Sequence, residues 1–269
     1  MTKADSATKE KLNEIVHSID KLEVLMDVLR EECPWDRKQT LSSLRTYTLE
    51  EVHEVLEAID REDWDSLRDE LGDLLLQIVF YARIAKEQER FTLHDIAESV
   101  VTKMIRRHPH VFDRVETEDL SRQWEELKDA EHAERKSLMD GVPPLPALAY
   151  ARKLQKRAAR VGFDWNDAAD VMVKMREELE ELETEVRQDA PFERLEDEFG
   201  DVLFTIVNLG RKLGLDAELS LMRTNRKFTD RFRGMERLAA SSDSAMAQMD
   251  MASLEELYQQ AKAEIRKEK

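Results

Sequence analysis

Apolar side chains recur every three or four positions along most of the chain, which is the spacing that places them on one face of an α-helix. Residues 11–30 are representative, with leucine, isoleucine, valine and methionine in this register. No segment combines the alternation typical of a strand with turn signals, so no sheet is predicted. Only 7 glycines and 6 prolines occur among 269 residues, which also favours long helices. The pattern predicts an all-α protein.

Interruptions of the helical spacing separate the predicted helices. In the first half, helices are expected at residues 11–30, 46–60, 63–89 and 92–107, with Pro34 and Pro109 at two of the breaks. In the second half, they are expected at 148–160, 168–187, 191–213 and 216–238. A loop is predicted at 239–252. Ser253 and Glu256 then have the spacing of a capping box, which predicts the start of a terminal helix.

The strongest break lies at Pro143, Pro144 and Pro146, because no helix interior tolerates three prolines within four positions. Three groups of charged residues occur once on each side of it. Glu50, Glu51 and Glu54 correspond to Glu177, Glu178 and Glu181, Glu70 and Asp73 to Glu198 and Asp201, and Lys103 and Arg107 to Lys227 and Arg231. The chain therefore resembles a duplication. We expect a helical module at 1–139, a proline-rich linker at 140–147 and a second module at 148–269, each built on about four helices.

The composition argues against several classes of function. Asp and Glu number 59 against 42 Lys and Arg, for a net charge of -17, which argues against nucleic acid as the main partner. Apolar runs are too short for a membrane helix, and the amino end lacks the apolar core of a secretory signal. A single cysteine, Cys33, forms no internal disulfide. A cytoplasmic globular protein is expected.

The acidic groups have spacings that gather them on one helix face. Glu50 and Glu51 lie four and three positions before Glu54, and Glu70 and Asp73 are three apart. A short connection makes the two helices antiparallel neighbours whose faces oppose each other. Like charges about 4 Å apart cost on the order of 1 to 4 kcal/mol per pair near a surface. Hard divalent cations, Mg²⁺ or Mn²⁺, remove that cost, and the same reasoning applies to the second copy.

The alternative is that each acidic string is a solvated helix face, which is the common case in so acidic a chain. The occurrence of the same acidic string in both halves of the chain favours a metal site instead. Asp73 and Asp201 directly precede apolar runs, which places them near a core. Gly72 and Gly200 occupy helix interiors at a cost of about 1 kcal/mol, which indicates close approach by another helix or a ligand.

Basic residues accompany both acidic groups. Lys103 and Arg107 are four apart, as are Lys227 and Arg231, and beside a metal-binding cluster they suit phosphate oxygens. In the second copy Lys174 and Arg194 precede the two acidic motifs, where the first copy has the uncharged Tyr47 and Ser66. The second site is therefore better equipped to neutralise a polyanion.

Taken together, these motifs resemble the MazG nucleoside triphosphate pyrophosphohydrolases. The resemblance covers nearly the whole chain and includes Cys33-Pro34-Trp35-Asp36, Val161-Gly162-Phe163-Asp164-Trp165 and the stretch at 106–112. It implies two four-helix modules in each chain, through which two chains form a homodimer. It also implies Mg²⁺-dependent attack of water at the α-phosphorus of ribo- or deoxyribonucleoside triphosphates such as ATP, giving a monophosphate and diphosphate.

The resemblance also implies roles for residues of the second module. The metal ligands would be Glu178, Glu181, Glu198 and Asp201. The triphosphate would be held by Lys174, Arg194, Lys227 and Arg231, with Tyr258 as a further nucleotide contact. We assign Glu177, the remaining carboxylate, as a water-orienting base, so that the catalytic set is Glu177, Glu178, Lys227 and Arg231. A second site in the first module would use Glu50, Glu51, Glu54, Glu70, Asp73, Lys103 and Arg107.

Two other classes remain open. A carboxylate bundle that binds iron needs histidine in both copies, but His53 corresponds to Glu180. A nucleotide sensor or helical scaffold without catalysis is the other alternative, and turnover separates it from an enzyme.

Overall fold

The computed structural model describes residues 18–113, 120, 123–124, 127, 136–241 and 245–267. Within these residues the chain forms ten α-helices and two short 3-10 helices, with no strand, which confirms the all-α prediction. The chain divides into two compact units, Met1–Ala133 and Glu134–Lys269. Among the described residues, no helix has the length and apolar character needed to cross a membrane.

The first unit has one central helix. Its helices are α1 (Ser18–Glu32), α2 (Arg45–Arg61), α3 (Trp64–Glu87), α4 (Leu93–Arg107) and the single turn α5 (Pro109–Phe112), and a 3-10 turn covers Asp36–Lys38. The long helix α3 packs against α1, α2 and α4. Because α2 and α3 are joined only by residues 62–63, they run side by side as the sequence predicted.

The core of the first unit is built on α3. Val79, Phe80 and Ile84 from α3 are buried together with Met26 of α1 and Leu44 at the start of α2. At the edge of this core, the buried guanidinium of Arg30 donates from Nε and Nη2 to both carboxylate oxygens of Glu87, at 2.9 and 2.6 Å. The apolar core and this ion pair together attach α1 to α3.

The second unit repeats the arrangement around α8. Its helices are α6 (Ala147–Ala159), α7 (Ala168–Arg187), α8 (Phe192–Lys212), α9 (Ala217–Ser241) and α10 (Met251–Lys267), with a 3-10 turn at Met246–Gln248. Helix α8 packs against α6, α7 and α9, and α10 packs along α9. The residues just before the prolines are bound to this unit, because Arg157 donates to the carbonyl oxygens of Leu138 and Asp140 at 2.7 and 2.6 Å.

The contact between α9 and α10 is close. Met235, Ala239, Leu257 and Ala261 are buried between the two helices. Gly234 is required here, because a Cβ at this position would lie 2.9 Å from the Cβ of Ala261.

The predicted helices agree with the structure except near the carboxyl end and at the break predicted around Pro109, where the single turn α5 forms. Helix α9 continues to Ser241, and a 3-10 turn lies in the predicted loop. The capping box predicted at Ser253 is wrong, because α10 already begins at Met251. Asp250 provides the cap instead: its Oδ1 accepts from the backbone N–H of Ser253 at 2.9 Å. The hydrogen bond from the Ser253 hydroxyl, followed by that from the backbone N–H, lowers the pKa of Asp250. Residues 11–17 of the first predicted helix lie outside the described residues.

Candidate metal centre

Three carboxylates of the second unit meet between α7 and α8. Oxygen atoms of Glu178, Glu198 and Asp201 all lie within 4.8 Å of one another. Glu178 comes from α7 and is 6% exposed, whereas Glu198 and Asp201 lie one turn apart on α8. Residues 188–191 connect the two helices, so the short connection that the sequence implied does bring the acidic faces together.

Two cations of the same unit already contact these carboxylates. Lys174 Nζ lies 2.7 Å from Glu177 Oε1 and 2.9 Å from Glu178 Oε1. The hydrogen bond to Glu177, followed by that to Glu178, raises the pKa of Lys174. Arg194 Nη2 lies 3.4 Å from Glu198 Oε1. The cluster is therefore partly neutralised by residues that the sequence predicted as phosphate-binding.

The other two carboxylates predicted on α7 lie outside this group of three. Glu181 is exposed, and desolvation and then the negative charge of Glu178 raise its pKa. Glu177 is also exposed, and its contact is Lys174. Glu181 as a metal ligand and Glu177 as a base both stay predictions.

The remaining predicted residues form a separate group on α9 and α10. Arg231 Nη1 donates to the hydroxyl of Tyr258 at 2.9 Å, and its guanidinium carbon lies 5.6 Å from the centre of that ring. Lys227 is exposed one turn earlier on α9. Within the described part of the chain, no hydrogen bond or ion pair joins Arg231 or Tyr258 to the carboxylates. A cavity of about 480 Å³ opens beside Tyr258, with Phe228 and Phe232 in its wall.

The first unit contains the corresponding three carboxylates. Oxygen atoms of Glu51, Glu70 and Asp73 lie within 4.8 Å of one another between α2 and α3. Burial and then the charges of Asp73 and Glu54 raise the pKa of Glu51, and burial and then Glu54 raise that of Glu70. Glu50 and Glu54 are exposed and stand outside the group of three.

The first unit has no lysine or arginine at the two positions that neutralise the second cluster. Tyr47 instead packs edge-on against Trp35, with ring centres 5.9 Å apart. The backbone N–H and hydroxyl of Ser66 both donate to the cap residue Asp63, at 3.1 and 2.8 Å. The two clusters therefore share a carboxylate arrangement and differ in charge balance.

The predicted basic pair of the first unit lies on α4. The guanidinium carbon of Arg107 lies 5.2 Å from the ring centre of Trp124, and Lys103 is half-buried one turn earlier. Each unit thus places an arginine against an aromatic ring, as Arg231 does with Tyr258. The sequence gives no signal for Trp124, because the number of residues between Arg107 and Trp124 differs from the number between Arg231 and Tyr258.

One expectation about these clusters is wrong, and a second is wrong in part. Asp73 and Asp201 are exposed and do not lie in a core, since the apolar runs after them turn to other helix faces. Apart from neighbouring backbone of the same helix, no atom of the described residues comes within 4 Å of a Cβ built on Gly72 or Gly200. No other described helix therefore approaches either glycine, and close approach by a ligand stays a prediction.

Both clusters suit a hard divalent cation. Their donors are carboxylate oxygens only, close enough together to share one ion, which is the ligand type of Mg²⁺ and Mn²⁺. No histidine belongs to either group, so the iron-binding bundle finds no support in the residues described. The fold and site define a duplicated all-α protein in which each copy has a carboxylate cluster that could hold a metal ion.

Comparison with known proteins identifies the family. Residues 39–112 match the MazG nucleotide pyrophosphohydrolase domain. The chain is 46% identical over 257 residues to the nucleoside triphosphate pyrophosphohydrolase of Escherichia coli strain K12, covering 92% of this chain and 98% of that protein. It is 44% identical over 248 residues to the nucleoside triphosphate pyrophosphohydrolase/pyrophosphatase MazG of Thermotoga maritima, covering 90% and 95%. The chain belongs to the MazG family.

A third relative matches only part of the chain. The nucleoside triphosphate pyrophosphohydrolase of Mycobacterium tuberculosis is 45% identical over 144 residues, which cover 52% of this chain and 44% of that protein.

Proposed function

We propose that the second unit is the Mg²⁺-dependent catalytic centre of a nucleoside triphosphate pyrophosphohydrolase, which converts a nucleoside triphosphate and water to a monophosphate and diphosphate. The observation that carries this assignment is the pairing of carboxylates with cations between α7 and α8. Glu178, Glu198 and Asp201 are grouped for a metal, and Lys174 and Arg194 lie against them. The names of the relatives support the reaction class.

The charges explain why the second unit is favoured. A triphosphate brings several negative charges to a site that is itself acidic, so binding requires cations that act together with the metal. The second unit supplies Lys174 and Arg194 at the carboxylates, and the first unit has Tyr47 and Ser66 there. We therefore expect the first cluster to bind metal but to hold a triphosphate weakly.

The residues of this site have separable tasks. Glu178, Glu181, Glu198 and Asp201 would hold Mg²⁺, which when bound supplies positive charge to phosphate oxygens and makes water a better nucleophile. Lys174 and Arg194 would move from carboxylate oxygens to phosphate oxygens when substrate binds.

Glu177 would orient the attacking water and accept its proton as the new bond to the α-phosphorus forms. The bond that breaks joins the α-phosphorus to the oxygen bridging the α- and β-phosphates, and that oxygen leaves on the diphosphate.

The group on α9 and α10 fits the rest of the nucleotide. Lys227 and Arg231 add positive charge, and Tyr258 with Phe228 offers aromatic surface beside a cavity of about 480 Å³. Such a surface stacks on any base, which favours a broad set of ribo- and deoxyribonucleotides, ATP among them.

Apolar side chains exposed around the site favour a homodimer. Phe199, Leu203 and Ile206 are 55%, 39% and 43% exposed on α8, and a second copy of the chain would bury them. A cytoplasmic location belongs to the same proposal, in keeping with a single free cysteine.

Product analysis tests the reaction. Purified protein is incubated with ATP, GTP, CTP, UTP and the deoxyribonucleotides, with and without Mg²⁺. Monophosphate and diphosphate released only with metal are the expected products. Nucleoside diphosphate with orthophosphate would move the attack to the γ-phosphorus and contradict the proposal. Nucleotide binding without turnover would instead favour a sensor.

A further inference from the structure

Arg194 has a second partner that is not part of the carboxylate cluster. Its Nη2 lies 2.6 Å from Oε1 of Glu185, closer than the 3.4 Å to Glu198. The side chain of Glu185 is 19% exposed, whereas that of Arg194 is 56% exposed. The bond to Glu185 is the main cause of the raised pKa of Arg194. Glu185 therefore provides the anchored end of this pair and Arg194 the accessible end.

The first unit lacks both members of the pair. By the offsets of the duplicated motifs, Ala58 stands at the position of Glu185 and Ser66 at that of Arg194. Both residues line a cavity of about 220 Å³ at the end of α2, together with Glu54, Glu57 and Glu70. The carboxylate and the guanidinium are thus absent together from these two positions, and the guanidinium that does line the cavity, that of Arg61, is paired with Glu57 instead.

We propose that Glu185 is a positioning residue for the nucleotide site of the second unit, whose carboxylate holds the Arg194 guanidinium beside Glu198 ready to bind a phosphate oxygen. This inference rests on the proposed function. With Glu185 in place, Arg194 can exchange Glu198 for a phosphate group while it keeps one anchored hydrogen bond. A long arginine held in this way loses less conformational freedom when substrate binds.

The competing explanation is a structural ion pair that joins the end of α7 to the start of α8. The two roles differ in what they change. A structural pair affects the unfolding temperature, whereas a positioning residue affects substrate affinity and does so only while Arg194 is present.

A double-mutant cycle with Glu185→Ala and Arg194→Ala separates these roles. KM and kcat are measured for ATP with Mg²⁺, and the Kd of α,β-methylene-ATP with Mg²⁺ is measured by calorimetry. We expect Glu185→Ala to raise KM and Kd about threefold to tenfold, with kcat changed by less than about twofold. In the Arg194→Ala background, the same change should have almost no effect, because Glu185 acts through Arg194.

The controls use the same helix. Glu183→Ala removes the partner of Arg187, at 2.5 Å on the outer surface of α7, and should leave KM and Kd unchanged. Glu185→Gln, which keeps an acceptor oxygen but no charge, should give an intermediate KM and guards against misfolding of the alanine variant. Independent, additive effects of the two substitutions, or a lower unfolding temperature with unchanged KM, would overturn the inference. Absence of diphosphate release by the wild-type protein would instead overturn the proposed function.

Discussion

Among single residues, the carboxylates of the two clusters differ most in how their charge is balanced. Glu178 is buried and is paired with Lys174 at 2.9 Å. Glu51 occupies the matching position, and its pKa is raised by burial and then by the charge of Asp73. Without metal, ionised Glu51 therefore opposes folding, whereas Glu178 has a partner.

We predict that Glu51→Gln stabilises the metal-free protein at pH 7. A carboxyl whose folded pKa is raised above its ordinary 4.5 binds its proton more tightly in the folded state. Stability is then lost as the pH rises through 4.5 toward the folded pKa, and the cost is complete at neutral pH. Removing the charge should raise the Tm by about 1 to 2 °C, measured by circular dichroism in EDTA.

The gain from Glu51→Gln should disappear near pH 4, where the wild-type carboxyl is largely protonated, and should reverse in Mg²⁺. Glu98→Gln, an exposed position on α4, is the matched control and should leave the Tm unchanged both in EDTA and in Mg²⁺. A lower Tm for Glu51→Gln in EDTA at pH 7 would contradict the charge balance described above.

We predict that Glu177→Gln lowers kcat about 100-fold and changes KM little, because an amide cannot accept the proton of the attacking water. Steady-state kinetics with ATP and Mg²⁺ measure this. Glu180→Gln alters an exposed neighbour on α7 and should keep wild-type kcat. A raised KM with normal kcat would show that Glu177 serves only to hold Lys174, and the base would have to be sought elsewhere.

Between helices, the Arg30–Glu87 ion pair joins α1 to α3. The guanidinium of Arg30 also donates to the carbonyl oxygen of Gln39 at 3.1 Å, so one buried side chain binds two helices and the loop between α1 and α2. The hydrogen bond from Arg30 lowers the pKa of Glu87.

We predict that Glu87→Gln lowers the free energy of unfolding at pH 7 by about 1 to 3 kcal/mol, because Arg30 stays buried without its counter-charge. A lowered pKa means that the stabilisation is present above the ordinary value of 4.5 and is lost as the pH falls through the folded pKa. Urea unfolding at pH 7, 5, 4 and 3 should show a weaker pH dependence for the variant. Parallel curves for the two proteins would contradict this account.

Alanine substitution at two helical glycines is predicted to change the free energy of unfolding in opposite directions. At Gly234 a Cβ would lie 2.9 Å from the Cβ of Ala261, so Gly234→Ala should destabilise the packing of α9 on α10 by about 1 to 3 kcal/mol. At Gly72 the Cβ meets no atom within 4 Å, so Gly72→Ala should stabilise α3 by about 0.5 to 1 kcal/mol. Urea unfolding measures both. Destabilisation by Gly72→Ala would reveal a partner chain close to α3.

The helices could be predicted from sequence because each buries one face. The apolar residues of that face recur with a period of 3.6 residues along the chain. Caps were less predictable because they depend on one or two hydrogen bonds. Asp250 and Ser253 are both good cap residues, and only the backbone geometry assigns the role to Asp250. Gly72 is equally hard to interpret from sequence: no other described helix lies beside it, and a glycine in a helix does not itself reveal whether a ligand does.

The candidate site was predictable where its residues recur at fixed spacing. The matching strings led to Glu178, Glu198 and Asp201, which the structure brings together. Glu185 carries no such signal, because it is one glutamate among several on α7 and acquires its meaning only from the position of Arg194. The placement of Arg231 against Tyr258 likewise depends on how α10 packs on α9.

At the scale of the whole chain, duplication has produced two carboxylate clusters with different surroundings. The MazG domain match covers residues 39–112 of the first unit, whereas Lys174 and Arg194 contact the carboxylates of the second. The Escherichia coli relative aligns along 92% of the chain, so the comparison includes both units. Two similar clusters therefore belong to one protein, and we propose that the second performs the reaction.

Diphosphate release by a matched pair of variants shows which cluster performs the reaction. Glu51→Ala and Glu178→Ala remove the same carboxylate from the two clusters, and both are assayed with ATP and Mg²⁺ after circular dichroism has shown intact helices. We predict that Glu178→Ala lowers kcat/KM by at least about 1000-fold while Glu51→Ala stays within about twofold of wild type. Near wild-type diphosphate release by Glu178→Ala, with loss of activity in Glu51→Ala, would contradict the account and move catalysis to the first unit.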